Sequence, residues 1–129
     1  MKFPLRLAIG LAAAVMLAGE AWAGDAVKGK QIFGRCAACH SDQPDVARVG
    51  PSLFGVLGRV PGTLASFKTY SPAMKAFGES GNAWDETTLG GYLANPRTFV
   101  PGNRMAFAGV PKPDERADLI AYLKTLKGK

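Results

Sequence analysis

The chain has 129 residues, 47% of them apolar, and carries 16 Lys and Arg against 10 Asp and Glu for a formal net charge of +6. That length is one small domain. Its basic residues are scattered, without a long block of like charge and without interleaved aromatics, which argues against a nucleic-acid platform and leaves steering toward acidic partners open.

The first residues read as a targeting segment. Lys2 and Arg6 make a positive start, Leu7 to Ala18 an apolar stretch, and Ala21-Trp22-Ala23 a small-residue cleavage site. The apolar stretch falls short of the about 20 residues that a membrane span needs. The expectation is export to the bacterial periplasm, a cleavable signal peptide over residues 1–23, and a domain over residues 24–129 with no stable membrane insertion. An uncleaved N-terminal anchor is the alternative.

Asp25 to about Arg35 reads as a short helix with Ala26, Ile32 and Phe33 on one face. From Ser41 to about Ser71 the chain is rich in Gly and Pro and has no sustained period, so it is expected to be loop wrapped around something. Ser71 to Phe77 suits another short helix, and Asp85 can cap one that stops near Asn95 because Pro96 follows. Gly90-Gly91 inside that helix costs propensity, which a close approach to another group would explain. Pro113 and Asp114 open the clearest helix, with Leu119, Ile120, Leu123 and Leu126 as its apolar stripe and Lys124, Lys127 and Lys129 toward its end. No segment alternates with a strand's period. Three to five short helices with long loops make a thin core, which suggests that a prosthetic group supplies part of the interior.

Both cysteines and the only histidine fall in Cys36-Ala37-Ala38-Cys39-His40, the C-x-x-C-H spacing of c-type haem attachment. Two residues between the cysteines put both sulfurs on one side of a helical turn, where each can form a thioether to a haem vinyl group, and the next residue offers its imidazole to the iron. A redox disulfide is disfavoured because no βαβ pattern surrounds the motif. Structural zinc lacks a further Cys or His ligand, and a plain disulfide leaves the histidine unexplained.

A single histidine rules out bis-histidine ligation by this chain. The opposite ligand is then a methionine, a weaker lysine or asparagine, or an open position. Beyond residue 23 the methionines are Met74 and Met105. Met105 follows the turn-forming Pro101-Gly102 and lies far enough from His40 for the chain to return on the other haem face. Met74 stands at helical spacing from Phe77 and suits packing. A His/Met pair denies O₂ and peroxide a vacant position and raises the potential, as a one-electron carrier requires.

The stretches "GDAVKGKQIFGRCAACH", "VGPSLFGVLGR", "TYSPAMK", "YLANPRTFVPGNRMAFAG" and "ERADLIAYLKTLK", in that order, resemble a class I cytochrome c near the bacterial cytochrome c2 and mitochondrial cytochrome c branch. The resemblance implies an all-α cytochrome c fold around one covalently attached haem c, with the first and last helices crossing where Gly29 and Phe33 meet Leu119 and Tyr122. It implies that the Pro51 carbonyl accepts the Nδ1 hydrogen of His40. Arg59, Tyr70 and Trp84 match positions that contact or shield the haem propionates, and Tyr92 and Asn103 positions lining the Met105 side. Two positions depart from the pattern: Met74 stands where mitochondrial relatives often carry asparagine, and Arg104 where many carry lysine. The docking face would be ringed by Arg35, Arg48, Arg97, Arg104 and Lys112.

These readings lead to a non-enzymatic monomer that moves single electrons between membrane-bound or soluble redox complexes: a cytochrome bc1-type donor, and an oxidase or reaction-centre acceptor, in a respiratory or photosynthetic chain. A haem enzyme with a labile distal Met, acting as peroxidase or gas binder, is the alternative. It would want a distal general base, and there is no second histidine.

Overall fold

The computed structural model describes residues 23–128, so the signal peptide expected over residues 1–23, all but its last residue, and Lys129 lie outside the described residues. Among the described residues there are five helices and no strand, and none of the helices is long and apolar enough to cross a membrane.

Helix α1 spans Ala26–Phe33 and starts where Asp25 accepts from the backbone of Val27 at 2.8 Å and Lys28 at 3.2 Å. It ends two residues earlier than its sequence suggests, because Gly34 takes the cap and the chain continues in tight turns to Cys39. Helix α2, Pro72–Glu79, is capped by Ser71 Oγ, which accepts from Met74 N at 3.0 Å. It runs past Phe77 through Gly78, which lies against the Pro61 carbonyl with no room for a Cβ.

Helix α3, Glu86–Ala94, begins at Asp85, whose carboxylate accepts from Thr88 N at 2.7 Å. Asn95 closes it and caps a further helix, α4, over Pro96–Phe99, by accepting from Thr98 N at 3.2 Å. Pro96 reads from sequence as a stop. It also suits a first helical turn, where its missing N–H costs nothing, and so one residue ends α3 and begins α4. Helix α5, Pro113–Thr125, has Leu119, Ile120, Tyr122 and Leu123 buried, while Leu126 becomes its C-cap.

The crossing of α1 over α5 is the main helix packing. Gly29 permits it: a Cβ there would run into the Asp118 carbonyl and lie 2.8 Å from Tyr122 Cβ. Four residues on, Phe33 sets its ring edge-on to Tyr122 with centroids 5.4 Å apart. The glycine pair of α3 divides. Gly91 faces the Phe99 ring, with a Cβ position 3.0 Å from Cδ2, whereas Gly90 meets only Ile120 Cδ1 at 3.7 Å. Only Gly91 answers to a close approach.

Residues 41–71 form the loop expected of them, tied down by main-chain bonds instead of helices. Leu53 N reaches Ser41 O at 2.8 Å and Gly55 N reaches Leu126 O at 2.6 Å. Gly58 N donates to Trp84 O at 2.9 Å, and Trp84 N returns the bond to Arg59 O at 2.9 Å. Gly58 has φ of 89°, a conformation that L side chains avoid. This exchange binds the loop carrying Arg59 to the start of α3.

Candidate haem site

The cysteine motif continues α1 as a turn. Cys36 N bonds to Phe33 O at 2.8 Å, Cys39 N to Cys36 O at 3.1 Å and His40 N to Cys36 O at 2.8 Å. Both thiols are free, with Cys36 half-buried and Cys39 exposed. Burial pushes the Cys36 thiol pKa up, against the opposing charge of Arg35.

The imidazole is held at one nitrogen. His40 Nδ1 donates to the Pro51 carbonyl at 2.7 Å, an acceptor that fixes the tautomer and leaves Nε2 without a proton. Gly50 lies against the ring, and a Cβ there would fall 2.9 Å from Nδ1. Burial pulls the His40 pKa below its ordinary value, with the Pro51 bond raising it and the Arg59 charge lowering it further. A neutral imidazole with a bare Nε2 is the form that binds a metal.

Two supports here escape a reading of the sequence. Tyr122 Oη donates to Asp42 Oδ2 at 2.8 Å, tying the residue two beyond His40 to α5. Ser52, fully buried, donates to Gln43 O at 2.5 Å and accepts from Phe54 N at 3.1 Å.

Arg59 is partly buried. Its Nη1 donates to Ser52 O at 2.8 Å and its Nη2 to Phe54 O at 2.6 Å. Among the described residues it has no carboxylate partner. Burial lowers its pKa, and the nearby Tyr70 phenol raises it. Trp84 is buried, its ring 4.9 Å from Tyr92 and 5.6 Å from Phe77.

On the methionine side, Tyr92 Oη approaches Met105 Sδ at 3.8 Å and Asn103 Oδ1 at 3.5 Å. Burial pushes the Tyr92 pKa up to about 12, so it remains a donor. Asn103 spends its amide on the backbone: Nδ2 donates to Pro96 O at 2.9 Å and Val100 O at 2.8 Å, and Oδ1 accepts from Met105 N at 2.9 Å. It therefore shapes the loop that presents Met105. Met74 is partly buried against the core, as its spacing from Phe77 suggests.

The five cations expected at the docking face are all exposed. Arg35 is paired with Glu115, Arg48 Nη1 reaches Ala37 O at 3.3 Å and Arg104 Nη1 reaches Thr69 O at 3.3 Å. Arg97 and Lys112 make no ion pair among the described residues.

A partly buried guanidinium with no salt-bridged counter-ion gains from an anion that joins it. Two thiols on one turn beside a bare imidazole nitrogen suit a ring that accepts sulfur and binds nitrogen. Haem, with its vinyl groups, iron and carboxylates, fits these residues, and a fold of short helices and long loops around it defines a c-type haem protein.

The chain belongs to the cytochrome c family, whose sequence model it matches over residues 26–127. It is 52% identical to cytochrome c2 iso-2 of Magnetospirillum molischianum over 74% of this chain and 94% of that one. With cytochrome c of Chlamydomonas reinhardtii it shares 51% identity over 81% of this chain and 92% of that one. The structure of cytochrome c2 from Rhodospirillum centenum superposes with a TM-score of 0.76 at 35% identity, covering 81% of this chain and all of that one. Haem c is the cofactor of this family, and the family is one of electron carriers.

Proposed function

We propose that the protein is an exported one-electron carrier, working as a monomer between membrane-bound or soluble redox complexes, in which Cys36 and Cys39 would tether haem through thioethers and His40 and Met105 would hold its iron. Bound haem supplies a reversible change of its iron between Fe(II) and Fe(III); the polypeptide does the rest. The Pro51 carbonyl holds the His40 ring in the tautomer that directs Nε2 to the metal. Asn103 pins the Met105 loop, and Tyr92 offers its hydroxyl to the thioether. His40 and Met105 would hold the iron in either oxidation state, which would limit reorganisation and leave other molecules no vacant position. Arg59, Tyr70 and Trp84 would hold the haem carboxylates.

Arg48, Arg97, Arg104 and Lys112, with Arg35 shared by Glu115, surround the edge at which an acidic partner docks. Weak docking steered by charge is fast and sensitive to salt. A cytochrome bc1-type donor and an oxidase or reaction-centre acceptor fit that chemistry. The leader-like residues 1–23, together with similarity to bacterial cytochrome c2, support a periplasmic location.

The observation that carries this reading is the 2.7 Å bond from His40 Nδ1 to Pro51 O, which commits one nitrogen and leaves the other for iron. The test is spectroscopic. The ferric protein should show the red-region sulfur-to-iron charge-transfer band, and Met105→Ala should lose it. A wild-type ferrous protein that is high-spin and binds CO at once would instead make this a haem enzyme.

A further inference from the structure

Among the described residues, Ser66 Oγ is the one buried side-chain polar atom with no hydrogen-bond partner. Folded proteins leave few such groups unpaired, and an unpaired one calls for a missing partner. Ser66 sits in the turn from Leu64 to Phe67, closed by Phe67 N to Leu64 O at 3.1 Å. The turn folds onto Tyr70: Phe67 packs edge-on against the Tyr70 ring at 4.8 Å, and the phenol lies against the Leu64 backbone. The same phenol adjoins Arg59, the partly buried guanidinium that has no salt-bridged carboxylate among the described residues. An orphaned hydroxyl and a cation with no salt-bridged carboxylate thus belong to one corner of the loop.

We propose that Ser66 Oγ donates a hydrogen bond to a haem propionate at the corner made by Arg59 and Tyr70, so that the 64–67 turn forms part of the cofactor's anion site. The proposal rests on the haem reading above. Haem brings two carboxylates, and this corner offers one full cation, Arg59, against which Asp45 also acts. Neutral donors must supply the remaining stabilisation, and Ser66 is a donor with nothing else to bond. It acts on the iron at a distance, by drawing negative charge on the carboxylate into a hydrogen bond. Removing it leaves that charge less compensated, favours Fe(III) and lowers the potential.

The experiment uses holoprotein assembled with haem carrying 13C at its propionate carboxyls. Ser66→Ala should shift one carboxyl resonance and lower the midpoint potential, Ser66→Thr should restore both, and the red-region methionine band should stay unchanged in all three proteins. In the wild type, the Ser66 hydroxyl proton should show a nuclear Overhauser contact to a propionate methylene, which needs no variant to fold. Wild-type resonances and potential in Ser66→Ala, with no such contact, overturn the proposal while leaving haem binding intact. A wild-type chain that takes up no haem overturns both.

Discussion

Arg35 and Glu115 are joined across 80 positions of sequence by two parallel contacts, Nη1 to Oε2 at 3.0 Å and Nη2 to Oε1 at 3.2 Å. The pair bolts the turn beside Cys36 to the first turn of α5, where a carboxylate also suits the helix dipole. It also conceals one of the cations expected at the docking face. Glu115→Gln should release Arg35 and speed electron transfer with an acidic partner at low salt, the gain over wild type vanishing as salt rises. Rates against ionic strength check this, and an equal gain at high salt would show that charge is not the cause. The hydrogen bond and charge of Arg35 hold the Glu115 carboxyl below its ordinary value. The pair's stabilisation is therefore present above the ordinary carboxylate range and lost as pH falls through that lowered pKa.

Three helical glycines should respond differently to alanine. Gly29→Ala drives a Cβ into the backbone of Asp118 and should cost about 1–3 kcal/mol through overpacking. Gly91→Ala meets a Phe99 ring that is 39% exposed and can yield, so its loss should be smaller. Gly90→Ala has only Ile120 Cδ1 nearby, at 3.7 Å, and should stabilise by about 0.5–1 kcal/mol from helix propensity. Denaturant melts of the three holoproteins give the order directly. A destabilised Gly90→Ala would point to an approach that the helix packing does not show.

How much the sequence disclosed depended on how far each signal reached along the chain. Local signals read well: Asp25, Ser71 and Asp85 cap helices where a short polar side chain precedes a helical run. The haem c cofactor read well because attachment chemistry fixes the spacing of the motif from Cys36 to His40. Pro96 marked the end of α3 as expected but gave no sign of α4, since a proline that ends one helix can also begin another. The contacts between Arg35 and Glu115 and between Asp42 and Tyr122 each span 80 positions, a distance at which no pattern of neighbours carries information. Asn103 read as a residue lining the methionine side, yet its bonds go to loop carbonyls that only the folded backbone brings near.

That use of Asn103 makes a prediction about Met105. Asn103→Ala would strip donors from Pro96 O and Val100 O and the acceptor from Met105 N, at about 1–3 kcal/mol if those groups stay dry. The loop should then open more often, weakening the red-region methionine band and admitting CO to ferrous protein faster than in wild type. Asn103→Asp keeps the acceptor for Met105 N and loses the donors, so it should fall between. A stability loss with unchanged CO kinetics would show that Asn103 serves the fold without governing the ligand.

The bond from Tyr122 to Asp42 sets how the protein withstands alkali. Burial first, then the bond to and charge of Asp42, raises the Tyr122 pKa from 10.0 to about 12. A group whose pKa rises on folding contributes stability that is whole below its unfolded value and disappears as pH climbs through its folded value. The window is therefore pH 10 to 12. At neutral pH Tyr122→Phe should be less stable than wild type by about 1 kcal/mol, the usual worth of one hydrogen bond. Between pH 10 and 12 the gap should close, because wild type loses the same bond once the phenol ionises. Tyr92 titrates near 12 in both proteins and cancels from the difference. Guanidinium melts of the two proteins at stepped pH measure the gap; one that held constant through this window would mean that the phenol's proton is not what ties Asp42 to α5.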